Sequence, residues 1–396
     1  MAGLLFWSAI AALLPTLPVY VESTGANSQT IGIVTGMFAV GLLASRGYLA
    51  RLADSRGRKI VLLIGMAAAA IAPLGYVLTD SIPLLMALRA FHGISIAAFA
   101  LAYSALVIDI SPPEFRGELI GYMSLVNPIG MGLGPAMGGF VLQEIGFFQA
   151  FLVAALAGFI GLIFTARVTE PPIPKADQKQ SSSLQFWSML LRPHIRIPAL
   201  VLLMIGLAFG ALTTFVPLLV REVNVPLNVG LFYSSTAIAG FGIRLLAGRA
   251  SDRIGRGPFI SLSLVMYALA MAVLWQATDA LTFLLAGLIE GAAAGTLIPM
   301  MAALMADRSH ADERGRTFSL CMVGFDLGIA VAGPLLGAIA LRTDYRSIFG
   351  ITAGLSLVGL AVFLLFSGKS LATSLRFALG LGRDMYAVEP LPHFKP

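Results

Sequence analysis

The chain has 396 residues, 58% of them hydrophobic and only 12% charged, with a mean hydropathy of +0.89. No water-soluble core needs that much apolar surface, so a soluble domain is excluded and an all-α polytopic membrane protein is implied. The formal charge of +6 and isoelectric point near 9.6 suit loops that border anionic lipid, and no basic domain is present that would hold a nucleic acid.

Apolar runs of about 20 residues, the length a helix needs to cross a bilayer, recur along the chain. They predict twelve transmembrane helices: spans 1 to 6 at 3–21, 30–49, 60–78, 82–108, 118–142 and 146–167, and spans 7 to 12 at 197–220, 228–248, 259–277, 281–306, 316–341 and 346–367. Span 1 begins almost at Met1 without a basic leader or small-residue cleavage pattern, and is expected to be retained.

Segments 50–59, 109–117, 167–196, 249–258, 307–316 and 368–396 hold 20 of the 26 Lys and Arg residues. By the positive-inside rule these segments, and with them both termini, face the cytoplasm of a cell that carries the protein in its plasma or inner membrane.

The sequence from Ala50 to Arg58 repeats as Gly248 to Arg256. The spacing of 198 that links Asp54 to Asp252 also links Gly32 to Gly230, Arg46 to Arg244, Gly93 to Gly291, Arg116 to Arg314 and Gly117 to Gly315. A constant register marks a duplication, and repeated hydrophobic halves are a mark of secondary transporters. The expected organisation is a six-helix bundle over 1–167, a cytoplasmic linker over 168–196, a second six-helix bundle over 197–367 and a cytoplasmic tail over 368–396. The linker opens on Glu170-Pro171-Pro172-Ile173-Pro174, which cannot be helical throughout. Leu184, Phe186, Trp187, Leu190 and Leu191 then suit a short amphipathic helix on the membrane surface, as do Leu371, Leu375 and Leu379 among Lys369, Arg376 and Arg383 in the tail; a tether is the alternative for both.

Gly57 and Gly255 permit a tight reversal with positive φ, and the surrounding cations hold that reversal at the anionic leaflet. Helix-breaking Pro135 lies among Gly130, Gly134, Gly138 and Gly139 in span 5, whose glycines at intervals of four make a flat face for another helix. Cys321, the single cysteine, excludes a disulfide and reads as a small buried hydrophobe. No phosphate-binding loop, zinc motif or nucleophile arrangement is present, so no enzyme, metal or cofactor is expected and energy must come from a gradient.

These residues carry a resemblance to the major facilitator superfamily. Asp54, Gly57, Arg58 and Lys59 match its G-x-x-x-D-R-x-G-R-K signature, with Ala50 and Ser55 departing from it; the second copy keeps Gly248, Asp252, Arg253, Gly255 and Arg256. The glycine face of span 5 resembles the motif of proton-coupled antiporters, and Gly333-Pro334-x-x-Gly337 in span 11 is a partial copy with Ile329 where the leading glycine would stand. Arg89-Ala90-Phe91-His92-Gly93 resembles R-x-x-Q-G with His92 replacing Gln.

The resemblance implies two pseudo-symmetric bundles of this superfamily's fold around one alternating-access cavity, and a monomer that takes protons as coupling ion and exports a small organic compound or drug-like metabolite. It further implies that Asp54 and its repeat, with Arg116 and Arg314, form the cytoplasmic gate. Arg89 and His92 line the cavity, and Glu290, 198 residues after His92, is the leading candidate proton carrier. Asp326, 199 residues after Asn127, is the second carboxyl candidate and His92 the third titratable group. Trp7, Phe91, Phe99, Phe215 and Phe232 are either an aromatic wall or packing. Alternatives are uptake by symport or facilitated diffusion and, from another class, a membrane sensor that binds a substrate without moving it.

Overall fold

The computed structural model describes residues 1–112, 115–170, 189–310 and 313–388, and the regular structure among them is helical. The helices are α1 (Ala2–Ala11), α2 (Leu17–Ser23), α3 (Ser28–Arg56), α4 (Arg58–Val77), α5 (Ile82–Ile110), α6 (Arg116–Glu144) and α7 (Phe147–Ala166), followed by α8 (Pro193–Glu222), α9 (Val229–Ile254), α10 (Arg256–Gln276), α11 (Ala280–Asp307), α12 (Arg314–Ala340), α13 (Tyr345–Phe366) and α14 (Leu371–Ala378). Eleven of them, α3 to α13, are long and apolar enough to cross a membrane. Each corresponds to one predicted span.

Span 1 differs from its expectation of one continuous helix. It is split into α1 and α2 across residues 12–16, next to Pro15 and Pro18. Pro18 lies in the first turn of α2, where its missing N–H has no intrahelical partner to lose. The signature segments are also more helical than loops would be. Asp54 lies in the last turn of α3 and Asp252 in the last turn of α9, so a single glycine separates each helix from the next. Gly57 has φ 101° and Gly255 φ 100°, a left-handed conformation that any β-carbon would strain.

Two compact units emerge. Of the described residues, those within 1–170, 212–237 and 333–345 form one, and those within 189–211, 238–332 and 346–388 the other. In the first, α3 packs on α5, α4 on α5 and α7, and α1 on α6 and α7. The core of this packing includes Phe6, Leu42, Val61, Met66, Ala98 and Phe99. In the second, α10 packs on α11 and carries the tail helix α14. The tail expectation of a helix therefore holds, with one face docked on protein. The linker stretch around Leu184, Phe186 and Trp187 lies outside the described residues; Met189 just after it is buried with Ile195 and Leu320.

Candidate functional site

Three constellations bear on function. The first surrounds the duplicated signature. In the first unit the Arg58 guanidinium meets Asp109 at 3.0 Å, joining the start of α4 to the end of α5. In the second unit Arg256 meets Asp307 at 3.3 Å, joining the start of α10 to the end of α11, and also holds Asp252 at 2.6 Å and the Ser251 hydroxyl at 2.7 Å. Arg58 and Arg256 are 198 residues apart, as are Asp109 and Asp307, so the ion pair was duplicated with the fold. Neither aspartate belongs to a sequence motif, and only the repeat register relates the two pairs.

Glu170 is a third residue outside the sequence motifs. Its carboxylate accepts from the Arg58 N–H at 2.6 Å and the Lys59 N–H at 3.1 Å, two of the donors that a helix start leaves without a backbone partner. A negative group there is also favoured by the helix dipole. The segment after α7 is thereby tied to the signature. Asp54, Gly248, Arg253 and Arg314 are exposed, whereas the Arg116 side chain, like Glu114 and Asp312, lies outside the described residues.

The second constellation is polar and lies within the spans. His92 is completely buried. The Tyr76 hydroxyl of α4 is 3.1 Å from its Nδ1, and Arg89 approaches the same ring nitrogen at 3.5 Å. Because a guanidinium only donates, Nδ1 is the acceptor toward both Arg89 and the Tyr76 O–H, which leaves the imidazole proton on Nε2. Phe38 of α3 completes the group, its ring centroid 4.4 Å from the Arg89 guanidinium carbon. A charge at mid-membrane costs about 2.5–3.5 kcal/mol on insertion scales, and a desolvated cation–π contact offsets about 2 kcal/mol of it.

Glu290 of α11 is 2% exposed and lies beside Tyr267 of α10. Both halves thus place a buried tyrosine on their third spanning helix against the repeat-paired residue, His92 or Glu290, on their fourth. Asp326 is buried on α12, and Asn127 is partly buried on α6. Of the aromatic candidates, Phe99, Phe215 and Phe232 are fully buried packing. Phe99 stacks on Phe6, with centroids 3.8 Å apart, and Trp7 meets its edge. Cys321 is buried, as expected of a small hydrophobe.

The third constellation is made of glycines. Gly130, Gly134 and Gly138 lie along α1 and the turn after it, against Trp7, Ser8 and Ala12, so closely that an added β-carbon would overlap them. In the other half Gly328, not Ile329, makes the corresponding approach, to Leu203 and Gly206 of α8. Gly328 stands 198 residues after Gly130, so aligning on the Gly-Pro pair displaces the copy by one. Gly32 of α3 abuts Gly333 of α12, and Gly230 of α9 abuts Pro135 of α6, all inside the first unit. These two contacts are related by the same register, Gly32 to Gly230 and Pro135 to Gly333. Around them the Thr35 and Thr214 hydroxyls lie 3.0 Å apart, Asn228 donates to Gln143 at 3.0 Å and Arg221 pairs with Glu22 at 2.7 Å. All of this lies at the ends of the spans remote from the signature.

The chain is similar to known proteins over most of its length. Multidrug resistance protein MdtG of Klebsiella pneumoniae (strain 342) is 28% identical over 363 residues, spanning 88% of each chain. The MdtG of Salmonella heidelberg (strain SL476) is likewise 28% identical, over 88% of this chain and 89% of its own. The crystal structure of nucleoside transporter NupG superposes with a TM-score of 0.76 at 16% identity, over 93% of this chain and 98% of that one. A bacterial homolog of the human lysosomal transporter Spinster superposes with a TM-score of 0.71 at 16% identity, over 97% of this chain and 91% of that one. Residues 1–258 and 226–378 match the family model of the Major Facilitator Superfamily, and the chain, a multi-pass membrane transporter and not an enzyme, belongs to that family.

Proposed function

We propose that the protein exports a small organic compound in exchange for protons, by alternating access between the repeats 1–167 and 197–367. The observation that carries the coupling is Glu290, a carboxyl buried in the middle of an apolar spanning helix beside a tyrosine hydroxyl. Such a group is costly to keep charged in an apolar surround and can be loaded and unloaded with a proton as its exposure changes. Asp326 is the second carrier. His92, already an acceptor from Tyr76, serves better to tie α4 to α5 and to orient Arg89 toward the cavity, with Asn127 as a polar wall residue. Similarity to MdtG supports export of drug-like compounds, and the glycine face of α6 against α1 supports antiport.

In this reading the signature residues form the cytoplasmic gate. The pairs Arg58–Asp109 and Arg256–Asp307 keep its helix ends in place, while Asp54, Asp252, Arg116 and Arg314 exchange partners as it opens and closes. Both termini are cytoplasmic, and the remote glycine contacts are the outer seal.

The test is transport by purified protein in liposomes, using a compound selected by thermal-shift screening. Glu290→Gln is expected to abolish flux driven by a pH gradient while sparing exchange between equal compartments. Full pH-driven flux in Glu290→Gln with loss in Asp326→Asn moves the carrier to α12. Retention in both removes proton coupling through these helices and favours facilitated diffusion, and binding without flux in the wild type identifies a sensor.

A further inference from the structure

After α13 the chain turns back onto the protein. Ser370 and Thr373 cap each other's backbone and start α14. The inner face of this helix, Ser374, Phe377 and Ala378, is buried. The Ser261 hydroxyl of α10 donates to the Ala378 carbonyl at 3.0 Å, and Gly257 touches the Phe377 carbonyl with no room for a β-carbon.

Gly380, at φ 77°, reverses the chain and brings Asp384 to Arg308. The contact is bidentate, 2.7 Å from Nε and 3.0 Å from the terminal nitrogen. The Arg308 side chain is fully buried, and that of Asp384 nearly so. Arg308 also donates to the Ser367 carbonyl at 2.9 Å and the His194 carbonyl at 3.3 Å, and lies over the Tyr386 ring. Finally the Val388 N–H donates to the Asp307 carbonyl at 3.0 Å, at the residue that pairs with Arg256. The tail thus connects the signature-proximal ends of α8, α10, α11 and α13, all within the second unit.

The opposite face has another chemistry. Leu371 is 56% and Leu379 57% exposed, with half-buried Leu375 between them at the four-residue spacing of a single helical stripe. Lys369, Arg376 and Arg383 beside it are exposed, Lys369 also reaching over Tyr386 at 5.9 Å. The helix starts only five residues after Phe366, where a membrane span ends, so it lies at the level of the bilayer surface. Leucines in a stripe with cations at their flanks suit acyl chains and anionic headgroups together.

We propose that residues 368–388 form a clasp whose inner face binds the second unit through Phe377 and Arg308–Asp384, and whose outer stripe of Leu371, Leu375 and Leu379, with Lys369, Arg376 and Arg383, binds the anionic surface of the bilayer. Lipid charge thereby bears on the Arg256–Asp307 pair through the tail. The proposal is independent of what the protein transports.

The test uses the full chain with Cys321→Ala and Leu379→Cys, an environment-sensitive fluorophore on the new thiol, and vesicles of phosphatidylcholine with or without phosphatidylglycerol. Brominated acyl chains should quench the fluorophore at least twofold more in the anionic vesicles, and the excess should disappear in Lys369→Gln/Arg376→Gln/Arg383→Gln or at high salt. Equal quenching in both vesicles overturns recognition of anionic lipid. Free access of aqueous iodide without bromolipid quenching shows that the stripe faces water. Protection accompanied, in the unlabelled Leu379→Cys protein, by disulfide cross-links between chains shows a second copy covering it; either result overturns the proposal. The inner face is tested by amide hydrogen exchange over 371–381 in detergent, which should accelerate at least tenfold in Asp384→Asn and stay unchanged in Leu371→Gln/Leu379→Gln. Unchanged exchange in Asp384→Asn overturns the clasp.

Discussion

The contact between Gly32 and Gly333 makes the most direct test of alternating access in this chain. A β-carbon on Gly32 would overlap the Gly333 carbonyl group, and one on Gly333 would overlap that of Gly32. The obstructing atoms are helix backbone, so no side-chain rotation relieves them. Overpacking of this kind costs about 1–3 kcal/mol, and the cost falls only on the conformation in which the two helices touch. Gly32→Ala should therefore move the equilibrium away from the sealed state by roughly 5- to 150-fold, the range to which 1–3 kcal/mol corresponds.

The reporter is already in the molecule. Thr35 lies one helical turn from Gly32 and its hydroxyl is 3.0 Å from that of Thr214. With Cys321→Ala, Thr35→Cys and Thr214→Cys, a short bifunctional thiol reagent should cross-link the sealed state rapidly, and Gly32→Ala should lower the yield in proportion to the shift. Gly230→Ala should act in the same direction, since it places a methyl against the Pro135 carbonyl at the repeat-related contact. Wild-type cross-linking in a folded Gly32→Ala protein, as judged by its thermal transition, refutes the idea that these glycines form a conformational seal.

Asp307→Asn should slow flux severalfold with a stability change of only about 0.2–1 kcal/mol, because the pair it breaks is partly exposed; Arg256→Asp/Asp307→Arg should recover flux, and failure of both flux effects removes the pair from the gate. Glu170→Gln should destabilise the start of α4 by about 0.5–2 kcal/mol, the usual range for a helix cap, read as faster hydrogen exchange at the Arg58 and Lys59 amides; unchanged exchange dismisses the cap. Tyr76→Phe should cost about 1–3 kcal/mol in thermal unfolding, because it leaves the buried His92 Nδ1 without its nearest donor. A variant as stable as wild type would show that the Tyr76–His92 hydrogen bond is dispensable.

Hydrophobic run length located the eleven spans α3 to α13 because lipid imposes one requirement on every one of them: the backbone must satisfy itself over the whole thickness of the bilayer. The break in span 1 was less visible. Pro15 and Pro18 stand in the sequence, but Pro73, Pro128, Pro135, Pro299 and Pro334 sit inside unbroken helices, so proline alone does not distinguish an interruption from a bend. The glycine reversals at 57 and 255 were legible because their chemistry is local. A single residue with positive φ between two helices leaves glycine as the one comfortable choice.

Pairings that cross from helix to helix were legible only where the duplication wrote them twice. Arg58–Asp109 and Arg256–Asp307 each span 51 residues, and that equal spacing was present in the sequence before any coordinate. Glu170 had no such signature, since the residue 198 positions later is Gly368. The tyrosine partners were hidden for a related reason: the residue repeat-paired with Tyr267 is Ala69, whereas His92 is met by Tyr76, two turns further along α4. Each half brings a tyrosine to the same depth on its fourth spanning helix from a different turn of its third, so the fold preserved the contact while the register did not. A repeat conserves backbone approach first, because glycine against carbonyl admits no substitute. It conserves polar partners only when both ends of the pair are anchored at helix termini, as Arg58 and Asp109 are. Inside the bilayer a hydroxyl can reach its acceptor from any neighbouring turn, and there sequence symmetry stops predicting chemistry.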